Sequence, residues 1–532
     1  AIYAYNQGRD LTIAATAGYA HGITALNTGS GALRITTATT SNGRMFAVNT
    51  GTDLTIAAAA VSSGFQGGIY AYNHGTGASS ITATGPVTAG SRGIVAKTRG
   101  TDLTITAAAV SGSNGIYAGH EGTGTARITT TGLVTGNSGY GIRAYNLNHF
   151  STADLTISTA AVSARDTGIY AANYGPGALN ISATGPVTGT LHDGIRARQL
   201  GMDLTISTAA VSGGHHGIYA RAAGSFGSGT STLTVTAAGA VTGGTGDGIR
   251  ALTGLGGQSV IALNDGALVS STSGNALSND AGNSITTVNA GAGIAGSISL
   301  GDGSDALTFD GGSFAGVSLF DGGDDTGSAD GFVDSLSFLN AAGLVAGANI
   351  VNFEEVAIGS GADIGFSDNT LTTESLTISD GGRLNLVDGV GANFLLQGDL
   401  NLANGGTLAT EILSASQFDI FNVAGAVNFG LGGLFDFVFD VDDQEFDLFS
   451  GLSLTFLTAD SILGFENLAF NFLGLDPRYA ARVRLEDGSS LSLNFSTSVP
   501  APSPLALLAS GLLGLAGLGR ARRHHPSPDN RS

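Results

Sequence analysis

The sequence predicts an all-β protein whose main part is a parallel β-helix, a solenoid of three-strand coils. A Gly-Ile-Xaa-Ala unit returns along the chain at steps of 21–31 residues, and two further short apolar segments lie between successive copies. The 532 residues include 85 glycines and no cysteine, so turns are frequent and no disulfide framework is available. These observations favour stacked coils over a disulfide-held or helical fold.

The regular repeat occupies residues 1–252. The aligned apolar residues of its copies are Ile2, Ile23, Met45, Ile69, Ile94, Ile116, Ile142, Ile169, Ile195, Ile218 and Ile249. The intervening segments are of the types Leu54-Thr55-Ile56 and Ala60-Val61-Ser62. Alternation puts their apolar side chains on one face, but each strand is too short to bury a core alone. Stacking at about 4.8 Å per coil would give every strand neighbours and create one continuous core.

Two columns of side chains are expected along this stack. One is an asparagine ladder four residues beyond the apolar position, formed by Asn6, Asn27, Asn49, Asn73, Asn146 and Asn173. The other places Tyr170, Arg196, Tyr219 and Arg250 one above another, where guanidinium and aromatic groups attract each other. We favour a structural role for both columns, with ligand binding as the alternative.

Polar residues on the other strands have a plain structural explanation. Regularly spaced threonines such as Thr55, Thr104 and Thr156 resemble an ice-binding or glycan-binding surface, but threonine is also simply favoured in strands. Repeat aspartates occur once per two coils, at Asp53, Asp102, Asp154 and Asp203. Such similar copies are typical of corner caps and not of a differentiated acid–base pair. We therefore predict no catalytic residues and no resident cofactor.

Charge is unevenly distributed. Residues 1–252 carry 13 basic and 9 acidic side chains (+4), residues 253–498 carry 4 and 31 (−27), and residues 499–532 carry 4 and 1 (+3), which sums to −20. The acidic middle argues against a nucleic-acid partner, because phosphates need basic groups to neutralise them. It is compatible with calcium binding or with a purely solvating role.

Residues 253–395 are predicted to continue the β-helix with less regular coils and two acidic turns. Metal-ligand candidates there are Asp302, Asp305, Asp324 and Asp325. The turn 301–307 resembles a single calcium-binding nonapeptide of RTX proteins, in which several consecutive copies share each ion. We favour plain glycine–aspartate turns, with calcium as the alternative.

Residues 296–355 also resemble the late passenger region of autotransporter-type β-helix proteins.

Residues 396–498 are rich in phenylalanine and alternate clearly in 434–440. Bulky aromatic residues on one face predict a larger-cored β domain of the sandwich type or a cap that closes the solenoid.

Residues 499–532 form a tail with a proline motif, an apolar run at 505–518 and the basic residues Arg520, Arg522 and Arg523. A helix of that run would span about 21 Å, and the arginines would hold its end on the cytoplasmic side. The tail resembles the PEP-CTERM sorting signal of exosortase systems in Gram-negative bacteria. Ala501 stands where that pattern has glutamate. The resemblance implies that Val499, Pro500 and Pro502 belong to the recognition motif and that the tail is a transient inner-membrane anchor removed during export.

The expected function is therefore that of an exported, surface-associated structural or adhesive β-helix protein at the outer membrane, cell surface or extracellular matrix. Its expected partners are the exosortase sorting protease and an extracellular polysaccharide or cell surface, with no nucleic acid. Because Ala1 lies inside a repeat, we expect a signal peptide upstream. The alternatives are a polysaccharide lyase or hydrolase, and a passenger-type autotransporter adhesin.

Overall fold

The computed structural model describes residues 1–16, 22–38, 41–201, 203–224, 231–254, 256–280, 282–379, 381–403, 405–441 and 446–497. These residues form an all-β parallel solenoid of about 17 turns, which confirms the predicted fold class. Each coil contributes a first, a second and a third strand, and equivalent strands of neighbouring coils pair in parallel. From Ala342–Val345 onward the third strands form a separate six-stranded sheet.

The first strand of a coil begins at the apolar residue of the Gly-Ile-Xaa-Ala unit in the regular region. The first strands are Ile2–Asn6, Ile23–Asn27, Met45–Asn49, Ile69–Asn73, Ile94–Thr98, Ile116–His120, Ile142–Asn146, Ile169–Asn173, Ile195–Gln199, Ile218–Ala222, Ile249–Leu252, Leu277–Ser278, Ile350–Val351, Ile420–Val423 and Ser453–Thr458.

The second and third strands correspond to the two shorter segments of each repeat. The second strands are Leu11–Ala15, Leu33–Thr37, Leu54–Ala58, Ser79–Ala83, Leu103–Ala107, Leu179–Ala183, Asp203–Thr208, Thr232–Ala237, Gln258–Leu263, Asn283–Asn289, Ala306–Asp310, Ser335–Leu339, Glu355–Ile358, Ala426–Phe429 and Ser461–Leu463. The third strands are Ser41–Asn42, Val61–Ser63, Val87–Ala89, Val110–Gly112, Val187–Gly189, Val211–Gly213, Val241–Gly243, Leu268–Ser271, Ala342–Val345, Asp363–Phe366, Arg383–Asn385, Thr407–Ile412, Gly433–Phe439 and Leu468–Leu473.

Some strands continue around a corner and serve two positions of the coil. They are Ala126–Gly136, Leu155–Ala164, Gly293–Ser299, Ser313–Asp321, Thr370–Ile378 and Asn393–Leu402. Short 3₁₀ helices lie at Ser328–Asp330, Gly347–Asn349, Phe446–Phe449 and Phe465–Asn467. The last two strands, Tyr479–Glu486 and Ser490–Thr497, form an antiparallel hairpin, and the second of them also pairs antiparallel with Ser453–Thr458.

The core is a column of aliphatic side chains held in strict register. Ile69 pairs with Ile94, which pairs with Ile116, and all three are fully buried. Because alternate residues of each strand point inward, the same positions of every coil bury their side chains. Three of the four repeat aspartates cap corners as predicted: Asp53, Asp102 and Asp154 each accept a backbone N–H of the next coil at 2.7–2.8 Å. Asp203 forms no such bond with the described residues and begins the strand Asp203–Thr208.

The predicted asparagine ladder is confirmed. Each amide donates to the next along the buried column: the Nδ2–Oδ1 distance is 2.8 Å from Asn6 to Asn27, 2.9 Å from Asn27 to Asn49 and 3.2 Å from Asn49 to Asn73. Further along the stack, Asn146 donates to Asn173 at 2.9 Å. The side chains also bond corner backbone groups, so the ladder ties each turn to its neighbours.

Replacing Asn73 by alanine is expected to destabilise the coils around it by roughly 1–3 kcal/mol. Its Oδ1 accepts the backbone N–H of Gly75 at 3.1 Å and its Nδ2 donates to the Gly77 carbonyl at 3.1 Å, so the truncation orphans buried groups. Hydrogen exchange should accelerate in Met45–Asn49 and Ile69–Asn73. The matched change Ser62→Ala, at an exposed position, should leave exchange unaltered. Equal exchange in the two variants would contradict the role of the ladder.

The phenylalanine-rich segment contributes further parallel coils and does not form the predicted β-sandwich. Asn393–Leu402 pairs in parallel with the strands that begin at Ile420 and Ala426, and Thr407–Ile412 pairs with Gly433–Phe439. Fully buried rings such as Phe421, Phe435 and Phe437 fill a core that aliphatic residues fill earlier in the chain. The final hairpin covers this end of the stack with the buried residues Leu491, Leu493 and Phe495.

Candidate functional site

The predicted sorting tail lies outside the described residues. This applies to Val499, Pro500 and Pro502, to the apolar run 505–518 and to Arg520, Arg522 and Arg523. In the part of the chain that the structure describes, no helix is long and apolar enough to cross a membrane.

The four calcium candidates of the acidic turns differ in how far they are exposed. Asp302, Asp324 and Asp325 are exposed, whereas Asp305 is buried. Within the described ranges, these carboxylates do not bring three ligand oxygens within 4.8 Å of one another. Calcium at these turns stays an untested alternative. Asp305 instead lies next to two buried acids, Asp334 and Glu354, that the sequence analysis did not select.

Asp305, Asp334 and Glu354 form a column of buried carboxyl groups on three successive coils, each no more than 2% exposed. We call it the carboxyl column. One oxygen of each group accepts a backbone N–H from the preceding coil: Ser284 donates to Asp305, Asp305 donates to Asp334 at 2.7 Å, and Asp334 donates to Glu354. The Oδ2 atoms of Asp305 and Asp334 are buried without a hydrogen-bond partner in the described structure. The column therefore caps strand starts but leaves two oxygens unsatisfied.

Burial sets the protonation of this column. Burial is the largest cause that raises the pKa of Asp305 to about 8; the charges of Asp334 and Asp324 act in the same direction, and the backbone hydrogen bond from Ser284 opposes them. Burial also raises the pKa of Asp334 to about 8, with Glu354 and Asp324 acting in the same direction. The pKa of Glu354 is raised for the same primary reason. At neutral pH the carboxyl groups of Asp305 and Asp334 are therefore mostly protonated, because a low-dielectric site disfavours adjacent carboxylate charges.

A second cluster lies at a corner of the regular repeat. Among the residues that the structure describes, Asp193, His215 and His216 bring their ligand atoms within 4.8 Å of one another. His215 Nδ1 lies 3.2 Å from Asp193 Oδ1, and that oxygen also accepts the backbone N–H of His216 at 3.1 Å. Arg196 Nη1 lies 3.4 Å from Asp193 Oδ2. The buried carboxylate thus has partners on both oxygens.

Hydrogen bonding makes this cluster a corner cap and not a ready metal centre. His216 Nδ1 accepts the backbone N–H of Asp247 at 2.7 Å, so this nitrogen has no free lone pair and the neutral ring carries its proton on Nε2. Burial, together with the charge of His215, lowers the pKa of His216 and keeps the ring neutral. The ring of His216 is buried under the next coil, whereas His215 is exposed.

The outward side of the first strands carries a stripe of tyrosine and basic residues. The register pairs Arg143 with Tyr170, Tyr170 with Arg196, Arg196 with Tyr219 and Tyr219 with Arg250, which confirms the predicted stack. The Arg196 guanidinium lies 5.0 Å from the centre of the Tyr219 ring. The Arg143 guanidinium lies 5.8 Å from the Tyr170 ring centre. These contacts hold the charged groups in fixed positions on an open face.

A second outward column runs beside this stripe, two residues further along each strand. Its members in successive coils are Tyr72, Lys97, Gly119, Tyr145, Ala172, Arg198 and Arg221. Together the two columns place six cationic side chains and no acidic one on this face between Lys97 and Arg250. An open face of this kind can bind an extended anionic or aromatic-stacking ligand.

Sequence reasoning found the tyrosine–arginine stack because its members recur at a fixed distance from the Gly-Ile unit. It missed Asp334 and Glu354, which follow loops of irregular length and belong to no motif. It also left Arg198 and Arg221 aside, although their shared position in the repeat was readable from the spacing.

A scan of the chain against protein-family models finds no match, and a search of curated proteins finds none either.

Proposed function

We propose that the chain is an exported structural or adhesive rod on the surface of a Gram-negative cell. The observation that carries this proposal is the parallel solenoid of about 17 turns, which at about 4.8 Å per coil gives a rod roughly 80 Å long. Its outward first-strand positions recur from coil to coil, and tyrosine or basic side chains occupy many of them, as on the extended binding surfaces of solenoids. The tail sequence supports the export and sorting part of the proposal.

Two other functions compete with this proposal. A polysaccharide lyase or hydrolase would need a differentiated group of acids or bases on an open face, and release of reducing ends or unsaturated products from polysaccharides would favour it. A passenger-type autotransporter adhesin shares the rod but would reach the surface through a membrane barrel. The repetitive faces favour a binding or structural role over catalysis.

Blocking the sorting motif is expected to trap the protein in the inner membrane. In a Gram-negative host with an exosortase, the chain behind a secretion signal should appear at the surface with residues 505–523 removed, as measured by fractionation and intact mass. The double variant Pro500→Ala/Pro502→Ala should keep the tail and fractionate with the inner membrane. Pro526→Ala, the same change beyond the apolar run, should be processed normally. A surface protein that keeps residues 505–523 would overturn the sorting part of the proposal.

A further inference from the structure

The strongest unassigned feature of the described surface is a group of arginines on three successive first strands. Arg196, Arg198, Arg221 and Arg250 surround Tyr219, and we call this group the arginine patch. Arg196 and Arg250 are the register neighbours of Tyr219 on either side, and Arg221 lies two residues beyond Tyr219 on its own strand. The patch stands out because the chain as a whole carries a net charge of −20.

Two members of the patch are compensated by buried acids. Arg196 Nη1 lies 3.4 Å from Asp193 Oδ2, and Arg250 Nη1 lies 3.6 Å from Asp247 Oδ2. Both arginine side chains are still 39–46% exposed, so these contacts hold the guanidinium groups at the surface without covering them.

The other two members are uncompensated. Arg198 and Arg221 are direct register neighbours, and neither forms an ion pair with any described residue. The nearby carboxyl group of Asp280 senses the charges of Arg250 and Arg221, but it is half-buried and bonds the backbone N–H of Thr253 at 3.0 Å. Like charges directly opposite each other destabilise a sheet. An external anion would relieve this repulsion.

The spacing of the cations indicates the class of anion. Successive coils are about 4.8 Å apart, so Arg198 and Arg221 offer two charges one coil apart, and Arg196 and Arg250 in the neighbouring column offer two charges two coils apart. Duplex DNA carries one charge per about 1.7 Å and needs a denser basic surface, and the acidic half of the chain would repel it. A polysaccharide with one carboxylate per sugar ring has a sparser charge that suits this spacing. Tyr219 adds a ring and a hydroxyl group that suit a sugar surface.

We propose that the arginine patch binds an acidic polysaccharide of the polyuronate type, with Arg198 and Arg221 contacting its carboxylates. The proposal rests on the adhesive role proposed above and names its ligand. Guanidinium groups pair with carboxylates through two parallel hydrogen bonds, and the neighbouring pair would engage consecutive acidic sugars.

The test is binding of the purified chain to immobilised polygalacturonate at physiological salt, with neutral dextran and duplex DNA as parallel surfaces. Wild-type protein is expected to bind polygalacturonate more tightly than either of the others, and the double variant Arg198→Gln/Arg221→Gln should lose about tenfold or more in affinity. The control Arg34→Gln/Arg127→Gln makes the same charge change at exposed positions on second strands and should bind within about twofold of wild type.

No retention on polygalacturonate, equal binding by the patch variant, or tighter binding to DNA would overturn the proposal. The patch variant should also be at least as stable as wild type, since it removes repulsion between neighbouring arginines. Because the measurement uses purified protein, it can fail while export and surface display succeed. Failure of export would equally leave binding to the patch intact.

Discussion

Raising the pH from 5 to 8 is expected to destabilise the coils around the carboxyl column. Asp305 and Asp334 have an ordinary pKa of 3.8 that the fold raises to about 8, so between these values the folded state holds more protons than the unfolded state. Stability is then fully present below pH 4 and is lost as the pH rises toward 8. For each proton that only the folded state holds, the free energy of unfolding falls by about 1.4 kcal/mol per pH unit.

Hydrogen exchange of Asn283–Asn289, Ala306–Asp310 and Ser335–Leu339, corrected for its intrinsic pH dependence, measures this loss locally. The double variant Asp305→Asn/Asp334→Asn should abolish most of the pH dependence and be more stable than wild type at pH 8. An asparagine Oδ1 still accepts the backbone N–H, and the amide carries no charge at any pH, so no buried carboxylate forms as the pH rises.

Two comparisons decide whether the carboxyl column causes the pH dependence of stability. Asp302→Asn removes an exposed acid from the same corner and should preserve the wild-type pH profile. Calcium added at pH 8 should leave the wild-type stability unchanged if protons alone occupy the column, whereas a calcium-dependent gain would favour an ion at the acidic turns. A wild-type profile that stays flat between pH 5 and 8 would contradict the assignment.

Truncating Phe437 is expected to cost about 3–5 kcal/mol. Its ring is fully buried and packs against Phe435 at 5.0 Å, Phe456 at 4.9 Å and Phe472 at 5.5 Å between ring centres. Phe437→Ala leaves a cavity that these rings cannot fill, because hydrogen-bonded ladders hold the strands that carry them.

Exchange in Thr407–Ile412, Gly433–Phe439 and Leu468–Leu473 and a denaturant titration measure the effect. The same substitution at Phe65, which is fully exposed, should change stability by less than about 0.5 kcal/mol. The loss of stability in Phe437→Leu should lie between the losses in Phe437→Ala and Phe65→Ala, since leucine keeps most of the side-chain volume. A loss below about 1 kcal/mol in Phe437→Ala would mean that the aromatic core of these coils is loosely packed.

The periodic features of the molecule were predictable from the sequence. Ile69, Ile94 and Ile116 recur at steps close to one coil, so their burial and register followed from spacing alone. Asn49 and Asn73 keep a constant offset from those residues, which also predicted their mutual hydrogen bond. Within the regular repeat, the number of residues between two copies is enough to deduce which residues are neighbours in the folded structure.

The irregular features were not predictable in this way. Asp305 and Asp334 are 29 residues apart, and the acid-rich loop between them has no counterpart in the repeat. Asp324 and Asp325 look equivalent to Asp305 in the sequence, but the fold exposes the first two and buries the third.

The sequence by itself determined the coil, its three strands, its aliphatic core and its ladders, because strand alternation and a near-constant coil length are local properties. The tertiary structure alone decided which acids are buried in the carboxyl column and which arginines lack a partner. Both depend on the depth of a side chain and on the charges stacked above and below it. Those neighbours come from other coils, across loops whose lengths follow no period.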